Sequence, residues 1–466
     1  MGTLDLERPT PSTGQKYDEL LSMPGDMMCA EAAAIPRATC EYTPRGQGFL
    51  LGKQRSFDRQ YAHLYFSRLL KLRQVVQQQV QAAWPGTPVV KILSVGEDQE
   101  VAVIGTLYKD MKLKPSILDE YAKQPGFKQA LGGTGFCSDD DSLVLEDEGA
   151  RMSMRSECAE LQPDSVVTGV VLAVRGRAEP GGDFVVSGVL WAGLPEQPQR
   201  PLPQEDAYVA LVSGLQLANS KADMMQVQLL VDFLTGNLGA APQQQLAAKV
   251  VQLVIAGGSL GQLEALAAAN PYSRQQTTDM EPVRDMDLVM TELAAALPVD
   301  IMPGPDDPAN VSLPQQPLHQ CLFPGAAPYS SFRRVTNPHA FELDGCLLLG
   351  TSGQNIDDMA KYTRGRSRLD LLACCLQWRH LCPTAPDTLT CFPFGADDPF
   401  VLQQCPHIML AANQPEFDTR LLEGPGGASV RLVCVPSFIT TGTLVLVNLR
   451  TLQCQPLIFQ SNYTSS

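Results

Sequence analysis

The stretch PVDIMPGPDDPAN, Pro298 to Asn310, decides how the larger part of this chain is read. Its first half is short and apolar, like the end of a buried strand. Its second half carries Pro303, Gly304, Pro305 and Pro308 around two aspartates, a composition that neither helix nor sheet accommodates. Just upstream, MEPVRDMDLVMTELAAAL has the spacing of a helix feeding that strand. Further back, AYVALVSGL and KVVQLVIAGG each climb through Val, Leu and Ile to a glycine-bearing loop, so helices and strands alternate. Downstream, SVRLVCVPSFITTGTLVLVNLRTLQCQPLIFQ reads as strands joined by tight turns, and mixed sheets with helices packed outside are expected.

Ahead of this region lies LPEQPQRPLPQED, Leu194 to Asp206. Its four prolines exclude regular structure, so it reads as a linker between residues 45–193 and 207–466. In SFDRQYAHLYFSRLLKLRQVVQQQVQAAW, Tyr61, Tyr65, Leu69, Leu72, Val76, Val80 and Ala83 recur at steps of four and three, which gathers them on one face of a helix. Ser56 is its expected cap and Pro85-Gly86 its stop. The β-branched runs VVKIL, EVAVIGTLYKDM, DSLVLEDE and SVVTGVVLAVRGRAEPGGDFVVSGVLWAGL follow, the last folding back at Pro180-Gly181-Gly182-Asp183. Five strands in so short a span predict a small barrel of the OB type. Residues 1–44, rich in Pro, Ser, Thr and Ala, read as a flexible leader or a thin arm lying on a later domain.

A chain of 466 residues is long for one core. A net charge of −15 and a pI near 4.8 argue against gripping a nucleic-acid backbone over a broad surface and favour protein partners. Basic residues running from Arg45 through Lys53, Arg55, Arg68 and Lys109 to Lys114 make the barrel region locally positive. CSDDDSLVLEDE offsets them, no aromatic stripe for base stacking is evident, and a solvated basic face is the plainer reading. Thirteen cysteines without a paired framework, and an opening without an apolar segment, predict reduced thiols in the nucleus or cytosol. No apolar run is long enough to span a membrane.

Cys374, Cys375, His380, Cys382, Cys391, Cys405 and His407 crowd one region, but without a Cys-x-x-Cys pair. LDLLACCLQW reads as a core helix with its thiols packed as small apolar groups rather than as a zinc site. His63, His319 and His339 read as packing or hydrogen-bonding residues. The glycine-rich turns near Gly132 and from Gly350 to Asn355 match no phosphate-binding fingerprint, and no nucleophile elbow occurs. No cofactor is expected.

Longer strings carry a resemblance. RQYAHLYFSRL, VIGTLYKDMKLKPSIL, VDIMPGPDDPANVSLPQQPLHQCLFP, VTNPHAFELDGCLLLGTSGQN, CPTAPDTLTCFPFGADDPF and VLVNLRTLQCQP resemble the B-subunit family of eukaryotic DNA polymerases alpha, delta and epsilon, within it the delta branch. The similarity runs from about Ser56 to about Phe459. It implies a mixed α/β chain: an N-terminal OB-fold β-barrel joined to a calcineurin-like metallophosphoesterase domain, an α/β sandwich lacking its metal ligands.

A binuclear phosphoesterase needs carboxylate, Asn and His ligands at the carboxyl ends of its central strands, so that two cations share a hydroxide and clamp the phosphate. Laid on the family's motifs, Gly214 and Gln216 stand where Asp-x-His follows VALVS, and Gly258 and Gly261 where Gly-Asp-x-x-Asp or Asn follows LVIAG. Pro305 and Asp306 take the places of the Asn and the acid-base His, with Asp307 surviving beside them. Asn413 and Pro415 replace the histidines that follow HIMLA. Proline and glycine have no side-chain ligand atom, and two neighbouring carboxylates do not assemble a two-metal site.

The resemblance thus implies a scaffold with no catalytic residue and no metal. It would dock the cysteine-rich C-terminal domain of the DNA polymerase delta catalytic subunit and link it to a third accessory subunit. The expected setting is DNA replication and repair in the nucleus, with DNA touched only weakly or indirectly. A metal-dependent phosphodiesterase or 3′→5′ nuclease, and an OB-type single-strand DNA-binding module, are the alternative readings. The sequence does not place the partner-binding residues.

Overall fold

The computed structural model describes residues 35–52, 59–97, 99–114, 135–261, 280–395 and 397–460. Residues 1–34, Lys53, Arg55, Ser56 and Gly132 lie outside these, so the expected helix cap and first glycine turn are not described.

The first described element is a short strand, β1 (Tyr42–Pro44), followed by a single 3-10 turn at Gly46–Phe49. Helix α1 (Ala62–Ala83) then buries Leu64, Arg68, Leu69, Leu72, Val76 and Val80. Tyr61 and Ala83, expected on the buried face, are exposed; the stripe starts at Leu64 and ends at Val80, one turn inside each end. Trp84 closes the helix, its N–H bonded to the Val80 carbonyl, and Pro85-Gly86 follows.

The helix lies on a barrel built from β2 (Val89–Val90), β3 (Val101–Asp110), β4 (Ser142–Glu146), β5 (Arg151–Ser156), β6 (Val171–Ala178) and β7 (Phe184–Trp191). Their order is β2-β3-β4-β5-β7-β6, and an additional β3–β6 pairing closes the sheet on itself, which covers edges that would otherwise be open. The predicted hairpin turn joins β6 to β7, where Glu179 and Asp183 bond through their backbones. Strand β5 is not among the expected runs: RMSMRS has weak strand formers, yet Met152 and Met154 alternate inward with exposed Arg151 and Ser153.

Residues 194–206 contain no helix or strand, as their prolines require, but they do not hang free. The Gln197 amide donates to the carbonyls of Pro406 (3.0 Å) and Ser429 (2.9 Å), and Arg200 donates to that of Leu449 (2.6 Å).

Beyond this segment the α/β pattern appears as read. In order come β8 (Tyr208–Val212), α2 (Met224–Thr235), α3 (Ala241–Ala248), β9 (Val250–Ala256), α4 (Glu281–Ala296), β10 (Val299–Met302) and β11 (Phe332–Arg334). These are followed by β12 (His339–Leu343), β13 (Cys346–Thr351), α5 (Gln354–Lys361), α6 (Arg368–Gln377) and β14 (Ile408–Gln414). The region ends with β15 (Asp418–Glu423), β16 (Ser429–Pro436), α7 (Phe438–Thr441), β17 (Thr443–Asn448) and β18 (Cys454–Ile458).

Two six-stranded sheets result, ordered β11-β10-β9-β8-β17-β18 and β1-β12-β13-β14-β16-β15. Both are mixed: β8 to β11 run parallel in one, and β13, β14 and β16 in the other. They face each other across Val209, Leu211 and Val254 on one side and Phe341, Leu348 and Leu410 on the other. Helices α2 and α4 cover the outer face of the first sheet. A further apolar cluster is continuous from the barrel interior, with Val103 and Leu145, to α5 and α6, with Ile356 and Leu372. The arm is part of this assembly, since β1 extends the second sheet by pairing antiparallel with β12. Among the described residues no helix is long and apolar enough to cross a membrane.

Candidate functional site at the strand ends

Because β8, β9 and β10 run parallel in one sheet and β13, β14 and β16 in the other, their outgoing loops gather along one rim, where open α/β sheets hold their ligands. Gly214, Gln216, Gly258, Gly261, Asp307 and Asn413 meet there. The Gly214 N–H donates to Gly257 (2.9 Å) and that of Gln216 to Gly258 (2.8 Å), lacing the β8 loop to the β9 loop. Asn413 sits in the left-handed region at φ 54°, which Asn tolerates better than most side chains. Its amide donates to the carbonyls of Ala256 (3.2 Å) and Ser352 (3.0 Å), tying the two sheets together.

Gly214 and Gly258 are required by crowding. At Gly258, with φ 67°, a Cβ would stand 2.9 Å from Asn413 Oδ1 and 3.1 Å from the Gly214 Cα. At Gly214, with φ 66°, it would strike Ser437 Oγ. The Ser437 and Asn413 side chains and neighbouring backbone fill the volume in which ligand side chains would have to lie.

Asp307 is buried, and its carboxylate accepts five backbone N–H groups: Gly258 (2.8 Å), Ser259 (3.3 Å) and Gly304 (2.8 Å) on Oδ2, Leu260 (2.9 Å) and Gly261 (3.4 Å) on Oδ1. Pro305 and Asp306 are exposed on the outer side of the same loop, and Pro415 is exposed just past β14. A pair of divalent ions does not fit this donor set, since the buried Asp307 carboxylate is taken up by amides and Gly214, Gly258 and Gly261 around it carry no ligand atom. Among the described residues no group of three or more His, Cys, Asp or Glu is placed to hold a metal ion.

The cysteine and histidine cluster is dispersed into packing. Cys374, Cys375, Cys382, Cys391 and Cys405 are buried free thiols, and burial raises the Cys375 and Cys382 thiols well above their usual range. Helix α6 is the core helix that LDLLACCLQW suggested, started by a capping box between Ser367 and Asp370. His407 accepts from the Leu347 N–H (2.9 Å) and bonds the Pro198 carbonyl (3.0 Å), while His319 accepts from the Cys321 N–H (3.2 Å). His63 is exposed at the start of α1, and Gly353, in the second glycine turn, opens α5.

Two stretches of the chain match known polymerase families. The family of the DNA polymerase delta subunit OB-fold domain matches residues 60–189, and the DNA polymerase alpha/epsilon B-subunit family matches residues 209–419. A DNA polymerase delta small subunit of Arabidopsis thaliana is 44% identical over 432 residues, covering 92% of this chain and 98% of the relative. One of Oryza sativa subsp. japonica is 42% identical over 92% of this chain and 100% of the relative. DNA polymerase delta subunit 2 of Drosophila melanogaster is 36% identical over 87% and 95%. The chain belongs to the DNA polymerase delta small-subunit family.

In this family member the OB-fold match covers α1 and nearly all of the barrel, and the alpha/epsilon match contains Gly214, Gln216, Gly258, Gly261, Asp307 and Asn413. Arg45, Arg59, Lys91 and Lys112 of the basic run are exposed, as the solvated-face reading expects, but two of its members are not. Arg68 and Lys109 are buried. Arg68 donates to the Asp398 carboxylate (2.9 Å) and to the carbonyls of Gly169 (3.0 Å), Pro383 (2.8 Å) and Ala385 (2.6 Å). Lys109 donates to the Tyr362 carbonyl (2.8 Å) and lies 3.5 Å from Asp141. Arg73, Lys112 and Lys114 form ion pairs with Glu148, Asp140 and Asp387, and Lys71 pairs with Asp397.

His380 completes the Arg68 site with a 2.9 Å bond to Asp398, while its other ring nitrogen accepts from the Cys382 N–H. Burial and then the adjacent Arg68 push the imidazole down to about 4. Burial alone would raise the Asp398 carboxyl, but His380 and Arg68 together hold it well below the usual carboxylate range. A second polar group pins the arm: Arg333 lies 3.7 Å over the Tyr42 ring and donates to Asp300 (2.7 Å), which also accepts from the Tyr42 hydroxyl (3.0 Å). His339 stands 3.3 Å from the same carboxylate. Burial and then the Asp300 charge raise the Tyr42 hydroxyl. Arg68 and Asp398, like Tyr42 and Asp300, are hundreds of residues apart in sequence, and no local signal announces them.

Proposed function

We propose that this chain is a non-catalytic accessory subunit of DNA polymerase delta. It docks the cysteine-rich C-terminal domain of the catalytic subunit, links that subunit to a third accessory subunit, and serves DNA replication and repair synthesis in the nucleus. Residues 45–193 act as the OB-fold unit and residues 207–466 as a phosphoesterase-like unit without its metal ligands, joined through residues 194–206. The observation that carries this reading is the glycine-packed rim. Gly214, Gly258 and Gly261 supply no ligand atom, and Asp307 is taken up by five backbone donors, so the place where a phosphoesterase would hold two cations is closed by the fold itself. A chain kept in that state contributes surface rather than chemistry, and subunits of this permanent kind meet over large interfaces with apolar centres.

The ion pairs along the basic run support the same conclusion from another side, because a cation already matched to a carboxylate releases little on meeting a nucleic-acid backbone. Co-expression with the delta catalytic subunit tests the proposal. An equimolar complex that requires that subunit's C-terminal domain is expected. Purified chain that ignores the domain and hydrolyses a phosphodiester in a manganese-dependent manner, with activity lost in Asp307→Ala, would overturn it.

A further inference from the structure

We infer that the strand-end rim is an oxyanion-binding nest whose resident ligand is the chain's own Asp307 carboxylate. Four consecutive amides, Gly258 to Gly261, converge with that of Gly304 on its two oxygens at 2.8–3.4 Å. Successive N–H groups turn to one side only where the backbone visits the left-handed region, and Gly258 (φ 67°) and Gly261 (φ 78°) supply those turns. Asp307 is 5% exposed, and its carboxylate is bonded by backbone amides.

Dipoles, not a counter-charge, therefore balance it. Such donors recognise a small planar oxyanion as a class, whatever molecule carries it. Formate and acetate have the matching shape, and inorganic phosphate is a bulkier competitor. By bonding the β9 loop to the β10 loop, the carboxylate draws the rim together as a bridging ion would, with the opposite sign of charge. The inference stands on this geometry and is independent of which partner the chain docks.

The test uses the full-length chain and the variant Asp307→Ala, which deletes the carboxylate and leaves a space of formate size. The Tm of the variant is expected to fall by about 5 °C or more. Sodium formate should recover at least half of that fall in a saturable manner, sodium chloride at equal ionic strength should not, and the unmodified chain should respond equally to both salts. An unchanged Tm, or a formate response no larger than the chloride response, overturns the inference. Should the variant fail to accumulate as folded protein, amide hydrogen exchange on the unmodified chain decides. The N–H groups of Gly258 to Gly261 and Gly304 should exchange on the order of 100-fold more slowly than the same residues in an unstructured peptide, and rates equal to the peptide's would overturn the nest.

Discussion

Asp398 and Asp307 are both buried carboxylates, and they are satisfied by opposite means. Asp398, where the barrel meets the sandwich, faces a full positive charge from Arg68 and a neutral imidazole from His380. Asp307, within the sandwich, is met by peptide dipoles alone. Loops of one unit lie close enough for backbone to reach backbone. Between the two units backbone bonds such as Phe136 to Lys361 and Arg364 to Asp164 form only at intervals, and Arg68, a long side chain with five donors, takes carbonyls from both sides of the seam. The Asp398 charge therefore depends on one cation, whereas that of Asp307 is spread over several amides.

Breaking the seam should produce the largest effect. Arg68→Met leaves Asp398 as a buried charge without a cation and strands the carbonyls of Gly169, Pro383 and Ala385. A destabilisation of about 3–5 kcal/mol is expected, read from urea unfolding, and the barrel should lose cooperativity with the sheets. A cost below about 1 kcal/mol would show that the seam is held by apolar contact and not by charge.

Acidification probes the same site more gently. His380 takes up a proton near 6.5 in the unfolded chain and near about 4 when folded, so between these values the unfolded chain binds more protons. Stability should accordingly rise with pH across this window and fall as pH drops from about 6.5 towards about 4, by up to about 3 kcal/mol. Lowering of the Asp398 carboxyl adds a further loss below about pH 4. His380→Gln should flatten the slope between pH 4 and 7, and an unchanged slope would assign it to other groups.

The smallest effect should come from a pair outside both regions. Arg155 and Glu179 lie 3.0 Å apart on the barrel surface with side chains 61% and 39% exposed. Arg155→Ala should move stability by no more than about 0.5 kcal/mol, and a larger change would blur the distinction between buried and exposed charge.

Much of the architecture is legible because it is written in short-range patterns. AYVALV, KVVQLVIA and VDIM announce buried parallel strands through unbroken apolar runs, and Pro180 to Asp183 announces a hairpin. RMSMRS escapes notice because methionine, arginine and serine are weak strand formers, so only its alternation marks it. That the glycines at 214, 258 and 261 lack ligand atoms is plain from composition, but the steric need for Gly214 and Gly258 emerges only when loops from distant parts of the chain meet. Arg68 and Lys109 mislead for a related reason. A local run of charge looks solvated until the partners are known, and Asp398 lies 330 residues beyond Arg68. Gln197 and Arg200 likewise turn a proline-rich stretch into a fixed strap through partners that local composition does not reveal.

The apolar cluster shared by the barrel and helices α5 and α6 has one more implication. Severing the polypeptide anywhere between residues 193 and 207 would not release two finished halves, because each would turn a raw hydrophobic wound towards water. To a protease, a chaperone or an expression host, this protein is a single indivisible object, built for assembly whole or not at all.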